Sequence, residues 1–264
     1  MGSFPKRKRS SGSEHFFSKN HQLTEVIPAA DDSYFIVACY EKFNGSRLRF
    51  REVEEEGKWE LVEEWGKTIG QLHRITKEYT PSNQVKRPDW NEEELLKIEE
   101  FVKSPPQKVL QYRDNVIEQI NQLAINSDVF GLIHSDIHSG NFLIENGKIN
   151  VFDFDDCSYH WFASDIAIAL YYTMLGRDYH KEDNREAIAN RFLEHFLKGY
   201  KTENTIPREA IESIPLFLRL RDIVLYAVIN KKLDPDTLDE NDRLFIKMVT
   251  ERVLSQQIIV DLQL

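Results

Sequence analysis

The chain has 264 residues and a mass of 31.1 kDa, enough for one large domain or two small ones with a core that needs no disulfide or metal staple. Two cysteines, Cys39 and Cys157, exclude a disulfide scaffold and a four-cysteine zinc site, and no apolar run reaches the roughly 18 residues of a membrane span. The formal charge is −10; residues 1–22 carry Lys6, Arg7, Lys8, Arg9 and Lys19 against Glu14, a net of +4, so residues 23–264 sum to −14, which repels nucleic-acid phosphates and tolerates cationic small molecules.

Residues 1–20 are polar, basic and without periodicity, and are expected to lack order. No apolar stretch follows the basic residues, so a secretory signal is not expected and a reduced, cytoplasmic setting is. Gln22–Ile27 and Tyr34–Tyr40 are β-rich runs flanking Asp31-Asp32-Ser33, a hairpin pattern. Residues 44–57 are charge-rich and read as a loop. Leu61, Trp65, Ile69 and Leu72 recur at helical spacing, and so do Val109, Tyr112, Val116, Ile120 and Leu123 within 107–126. Asn91 with Glu94 three residues later predicts a helix start, and Pro105-Pro106 its end. Phe130–His134, Phe142–Ile144 and Ile149–Phe154 read as strands, the last two joined through Asn146-Gly147, a strong hairpin signal. Helices are expected at about 162–175, 183–201, 208–230 and 237–258.

The chemistry concentrates at residues 134–156. His134-Ser135-Asp136-Ile137-His138-Ser139-Gly140-Asn141 precedes the hairpin, and Asp153-Phe154-Asp155-Asp156 follows it. Asp153 is expected at the end of the second hairpin strand, folded back beside Asn141. An amide oxygen and a carboxylate are hard ligands suited to a Mg²⁺ that also holds phosphates. Asp136 is then free to accept a proton from a hydroxyl. A zinc cluster of His134, Asp136 and His138 is the rival reading, but no second histidine pair is suitably placed and Asn141 would be idle.

The run from His134 to Asn141, with Val151-Phe152-Asp153-Phe154-Asp155-Asp156, resembles the aminoglycoside phosphotransferase and choline kinase superfamily. Ile69-Gly70-Gln71-Leu72-His73, Ala163-Ser164-Asp165-Ile166-Ala167 and Phe217-Leu218-Arg219-Leu220-Arg221 add to the likeness, which covers about residues 24–255. Ser135 and Asp155 depart from the protein-kinase pattern at the Arg of the catalytic loop and the Gly after the metal-binding Asp-Phe. The resemblance implies an α+β, protein-kinase-like fold: a basic tail at 1–22, a remnant of the N-terminal lobe and hinge at 23–60, and a mainly helical C-terminal lobe with the embedded hairpin at 61–264. It implies transfer of the ATP γ-phosphate to a hydroxyl of a small molecule such as an aminoglycoside, choline or homoserine, with no nucleic-acid or membrane partner. Asp136 would be the catalytic base, and Asn141 and Asp153 would hold Mg²⁺. His134 would support the loop, and Asp155 would be a supporting residue, either a second metal contact or a helix-capping surface acid. Backbone groups of Cys39 to Glu41 would meet the adenine. Asp165 is expected as a structural acid at a helix start, and His73 as a supporting residue. No Gly-x-Gly occurs, and Lys19 is the only lysine between the basic run and residue 41. The N-terminal lobe is therefore expected to be reduced and phosphate grip weak, the alternative being an inactive kinase-like binding protein.

Overall fold

The computed structural model describes residues 15–31, 33–40, 42–81, 86–178, 184–233 and 237–264. Its first part is an antiparallel sheet of β1 (His15–Phe16), β2 (Thr24–Pro28) and β3 (Tyr34–Tyr40), ordered β1-β3-β2. The expected hairpin is present, in a register running from Thr24 opposite Ala38 to Pro28 opposite Tyr34. Asp31 Oδ1 accepts the Ser33 N–H at 3.2 Å and the Ser33 hydroxyl at 2.6 Å, which is the turn chemistry read from the sequence. Phe16 pairs with Cys39, so order begins inside the segment expected to lack it; residues 1–14 lie outside the described residues. The sheet buries little, and Val26, Tyr34, Phe35 and Ile36 are each more than 60% exposed.

The expected loop at 44–57 is corrected. Ser46 exchanges backbone bonds with Ile144 at 3.0 and 2.8 Å, and α1 (Phe50–Glu56) follows, closed by Gly57 at φ 68°. Val53 is the only residue that α1 buries, so its acid-rich sequence carries no apolar stripe to read. Next comes α2 (Glu60–Lys77), which buries Val62, Trp65 and Ile69 on one face. It crosses α6 (Arg185–Tyr200) at backbone contact: a Cβ on Gly66 would lie 1.9 Å from the Phe196 carbonyl oxygen, and one on Gly199 1.8 Å from that of Glu63.

The helix expected from Asn91 is replaced by two 3₁₀ turns, Trp90–Glu92 and Glu94–Leu96, and a short α3 (Ile98–Phe101). Trp90, Leu96 and Ile98 are all buried, and spacings of six and two cannot share one helical face. Then α4 (Gln107–Asn121) leads to β4 (Phe130–Ile133), the hairpin β5 (Phe142–Glu145) and β6 (Lys148–Val151), and β7 (Ser158–Trp161), which pairs antiparallel with β4. Asn146 and Gly147, at φ 51° and 74°, make the tight turn that the dipeptide predicts. The remainder is helical: α5 (Phe162–Asp178), α6, α7 (Arg208–Glu212), α8 (Ile214–Lys232) and α9 (Glu240–Ser255). The single helix expected over 208–230 breaks at Ser213, because Pro215 in the first turn of α8 has no N–H to continue a helix from α7. The core is continuous from Leu48 to Val260. No helix among the described residues is long and apolar enough to cross a membrane.

Candidate active site

The loop between β4 and β5 is held from below by Asp165, on the first turn of α5. Its Oδ1 accepts the Ser135 N–H at 2.9 Å, and its Oδ2 accepts the His134 N–H at 3.1 Å. His73 Nε2 is 3.1 Å from the same Oδ2, and His73 Nδ1 lies 2.9 Å from the Tyr200 hydroxyl. Asp165 is completely buried; burial pushes its carboxyl up, but the bonds and charge it gains from His73 and His134 leave it below the usual range. It does more than favour a helix dipole: it fixes Ser135 in a left-handed conformation, φ 67°, that a residue with a side chain rarely adopts. His134 links the loop to the far side of the hairpin. Its Nδ1 accepts the Asp136 N–H at 3.4 Å, so its Nε2–H donates to the Phe152 carbonyl at 3.1 Å.

Asp136 is 20% exposed and its carboxylate is occupied on both oxygens. Arg221 Nη2 donates to Oδ1 at 2.7 Å. Asn141 Nδ2 donates to Oδ2 at 3.0 Å, and His138 Nε2 stands 3.4 Å from Oδ2. Gly140 N–H donates to His138 Nδ1 at 2.9 Å, which leaves the ring proton on Nε2, facing Asp136. The need for glycine at 140 is this approach: a Cβ there would sit 2.5 Å from the His138 ring. Burial pushes the Asp136 carboxyl up, and the His138 bond and the Arg221 charge more than offset it, so Asp136 is ionised at neutral pH.

The Phe152 N–H donates to the Asn141 carbonyl at 3.1 Å, which places Asp153 one residue beyond the point where the two chain segments join. Asp153 is not in the strand, as β6 ends at Val151; it follows in a left-handed turn at φ 66°, exposed. Asn141 spends its amide nitrogen on Asp136, and its Oδ1 takes no hydrogen bond among the described residues. The donor set fits a hard divalent cation. Among the described residues no three His, Cys, Asp or Glu side chains gather as a metal cage, so the remaining ligands would be phosphate oxygens and water, the usual habit of Mg²⁺.

A cavity of about 270 Å³ opens beside this loop. Trp90, Leu96, Phe217 and Leu220 form apolar walls, and Asp89, Glu92, Glu93, Glu94, Asp155 and Asp156 line it with carboxylates. Asp155 thus faces this cavity, and its backbone carbonyl accepts Arg87 Nη1 at 2.7 Å. His160 also lines it; Nδ1 accepts the Trp161 N–H at 2.9 Å, and burial pushes the imidazole down to about 3, so the ring is neutral and its Nε2–H is a donor. Cys157 is buried and its thiol pushed up to about 12, chiefly by burial, so it is unreactive as expected. Cys39 lies inside β3 opposite Phe16 rather than in an open hinge, and Glu41 lies outside the described residues. Arg221 stands in the run Phe217–Arg221 that carries part of the family likeness, but the sequence alone assigns it no role. The available signal is two arginines, Arg219 and Arg221, set with Asp222 in the otherwise apolar run Ile214–Ala227 of α8.

The phosphotransferase enzyme family matches over residues 34–210. The amicoumacin kinase of Bacillus subtilis (strain 168) is 36% identical over 229 residues, covering 86% of this chain and 66% of that protein; the chain spans just under two thirds of its length. A solved structure of amicoumacin kinase hAmiN in complex with AMP-PNP, Ca²⁺ and Ami aligns with a TM-score of 0.87 at 32% identity, over 96% of this chain and 75% of that one. The microcompartment-associated aminopropanol kinase aligns at 0.71 with 18% identity over 92% of this chain and 76% of its own, a likeness of fold alone. The fold is α+β and protein-kinase-like, and the chain belongs to the phosphotransferase enzyme family.

Proposed function

We propose that the chain is an ATP-dependent kinase that transfers the γ-phosphate to a hydroxyl of an amine-bearing small molecule, with amicoumacin the first acceptor to test. What supports this most is the Asp136 carboxylate, held ionised beside an acidic cavity in a chain 36% identical to an amicoumacin kinase. Asp136 orients the acceptor hydroxyl and takes its proton as the oxygen attacks phosphorus in line. Asn141 and Asp153 hold the divalent cation, Mg²⁺ in this reading, with Asp155 at the edge of the same turn. When bound, the cation neutralises charge on the phosphates. His134 keeps the loop against the hairpin.

The cavity suits an acceptor with one cationic and one apolar part. Asp155, Asp156 and Glu93 receive an ammonium group, Trp90 and Phe217 pack against carbon, and His160 donates to an acceptor oxygen. The relatives are named as kinases, which favours an active enzyme over an inactive binding protein. The setting in this reading is cytoplasmic, with no nucleic-acid or membrane partner. The test is incubation of the purified chain with ATP, Mg²⁺ and amicoumacin, followed by mass spectrometry. Acceptor carrying one added phosphate, with stoichiometric ADP, is the expected result. ATP consumption without any phosphorylated amicoumacin, aminoglycoside or amino alcohol counts against it.

A further inference from the structure

Arg221 is 85 residues from Asp136 in sequence and reaches it from another helix, α8. Its Nη2 is 2.7 Å from Asp136 Oδ1, and the same nitrogen donates to the Tyr172 hydroxyl on α5. The guanidinium also lies over the Tyr172 ring, 4.9 Å from its centroid, and that ring stands 4.7 Å from the His138 ring. Tyr172 therefore touches two of the three donors that flank Asp136, Arg221 and His138. Arg221 Nε is buried without a hydrogen-bond partner. A guanidinium placed for stability alone would satisfy that donor, so its placement follows what Nη2 must reach. With Asn141 and His138 on the other oxygen, the carboxylate is fixed in rotamer and plane.

We infer that Arg221, braced by Tyr172, is the positioning residue that aims the Asp136 carboxylate at the acceptor hydroxyl. The inference rests on the reading of Asp136 as the base of a kinase. An arginine is required because its planar group stacks on Tyr172 while one nitrogen donates to Asp136; a lysine keeps the charge and loses the stack. A base free to turn spends little of its time in the attacking geometry, and the loss falls on turnover.

The test uses the full chain with ATP, Mg²⁺ and amicoumacin, comparing Arg221→Met, Arg221→Lys, Arg221→Ala and Tyr172→Phe. Arg221→Met is expected to lower kcat about 100-fold while the KM for ATP stays within about twofold, because misplacement of a reacting group acts on the chemical step. Arg221→Lys should regain no more than about a tenth of the parent rate, and added guanidinium ion should restore part of the activity of Arg221→Ala. A kcat for Arg221→Met within about threefold of the parent overturns the inference, as does a loss shared equally by ATP binding and not rescued by guanidinium. If the parent transfers no phosphate, the proposed function fails, and crystal structures of the parent and Arg221→Met decide the positioning role alone. An Asp136 carboxylate turned away from its parent orientation supports it; one that has not moved overturns it.

Discussion

At the scale of single residues, two carboxylates with different surroundings take different work. Asp136 is partly buried and fixed by three donors, whereas Asp153 is exposed in a left-handed turn with no protein partner described. Asp136→Asn keeps the shape and removes the proton acceptor. It is expected to lower kcat by about 10²–10⁴, the usual worth of a general base, with ATP affinity in calorimetry unchanged. Asp153→Ala is expected to weaken Mg²⁺-dependent ATP binding itself, and equal Mg²⁺–ATP affinities in the two variants would refute the division of roles. His160 gives a separate test of the cavity. Its folded value of about 3 lies below the roughly 6.5 of an unfolded histidine, so between those limits the unfolded chain binds a proton that the folded chain refuses. Stability must then fall as the pH drops below about 6.5, by about 1.4 kcal/mol per unit. His160→Asn, which retains an acceptor for the Trp161 N–H, should remove about 2 kcal/mol of the loss seen by urea unfolding between about pH 7 and pH 5. An unchanged pH slope in that variant would show that His160 is not held neutral.

The elements place these residues through backbone contacts as much as through side chains. The crossing of α2 and α6 has no room for a Cβ at Gly66 or Gly199, and the same crossing brings His73 and Tyr200 together beneath Asp165. Gly199→Ala must therefore push two helices apart, and a loss of about 3 kcal/mol in denaturant unfolding is expected, at the upper end of the overpacking range. Gly147→Ala meets open space and only the strain of φ 74°, so about 1 kcal/mol is expected there. Equal losses for the two would show that the helices relax freely. What was legible in the sequence follows from how local each signal is. The Asn146-Gly147 turn and the stripe of α2 are written in consecutive residues, and both are found where they were read. The break at 90–101 was hidden because Trp90, Leu96 and Ile98 are drawn inward by partners far along the chain. β7 is not legible in the sequence because Ser158–Trp161 runs directly into the apolar start of α5 and pairs with β4 across the intervening loop and hairpin, residues 134–157. In the site, the loop is readable by spacing, whereas the contact of Arg221 with Asp136 depends on α8 meeting the loop in space.

Over the whole molecule, stability is unevenly distributed. The packed core begins at Leu48 and includes Val53, Trp59 and the large side chains of α2, α5, α6 and α8, so it extends into the 23–60 segment. The sheet of β1, β2 and β3 lies outside it, with Phe16, Val26, Phe35 and Ile36 exposed on its two faces. Alternate residues of a strand point to opposite faces, so Ile36 with Val26 and Phe35 with Ile27 leave both sides of this sheet to solvent. Three short strands with neither face covered by the described residues gain little from apolar burial, and backbone bonds alone do not hold such a sheet firmly. Its opening therefore costs far less than global unfolding, and the helical body is unaffected by it. Hydrogen exchange by mass spectrometry should show the amides of 24–40 exchanging orders of magnitude faster than those of α5 and α8. Gly199→Ala should accelerate exchange in α2, α6 and the loop at 134–141 while leaving the rate of 24–40 as it was. If instead the sheet were protected to the level of α8, or slackened together with the helices in that variant, sheet and body would form one cooperative unit and the separation drawn from exposure would be wrong.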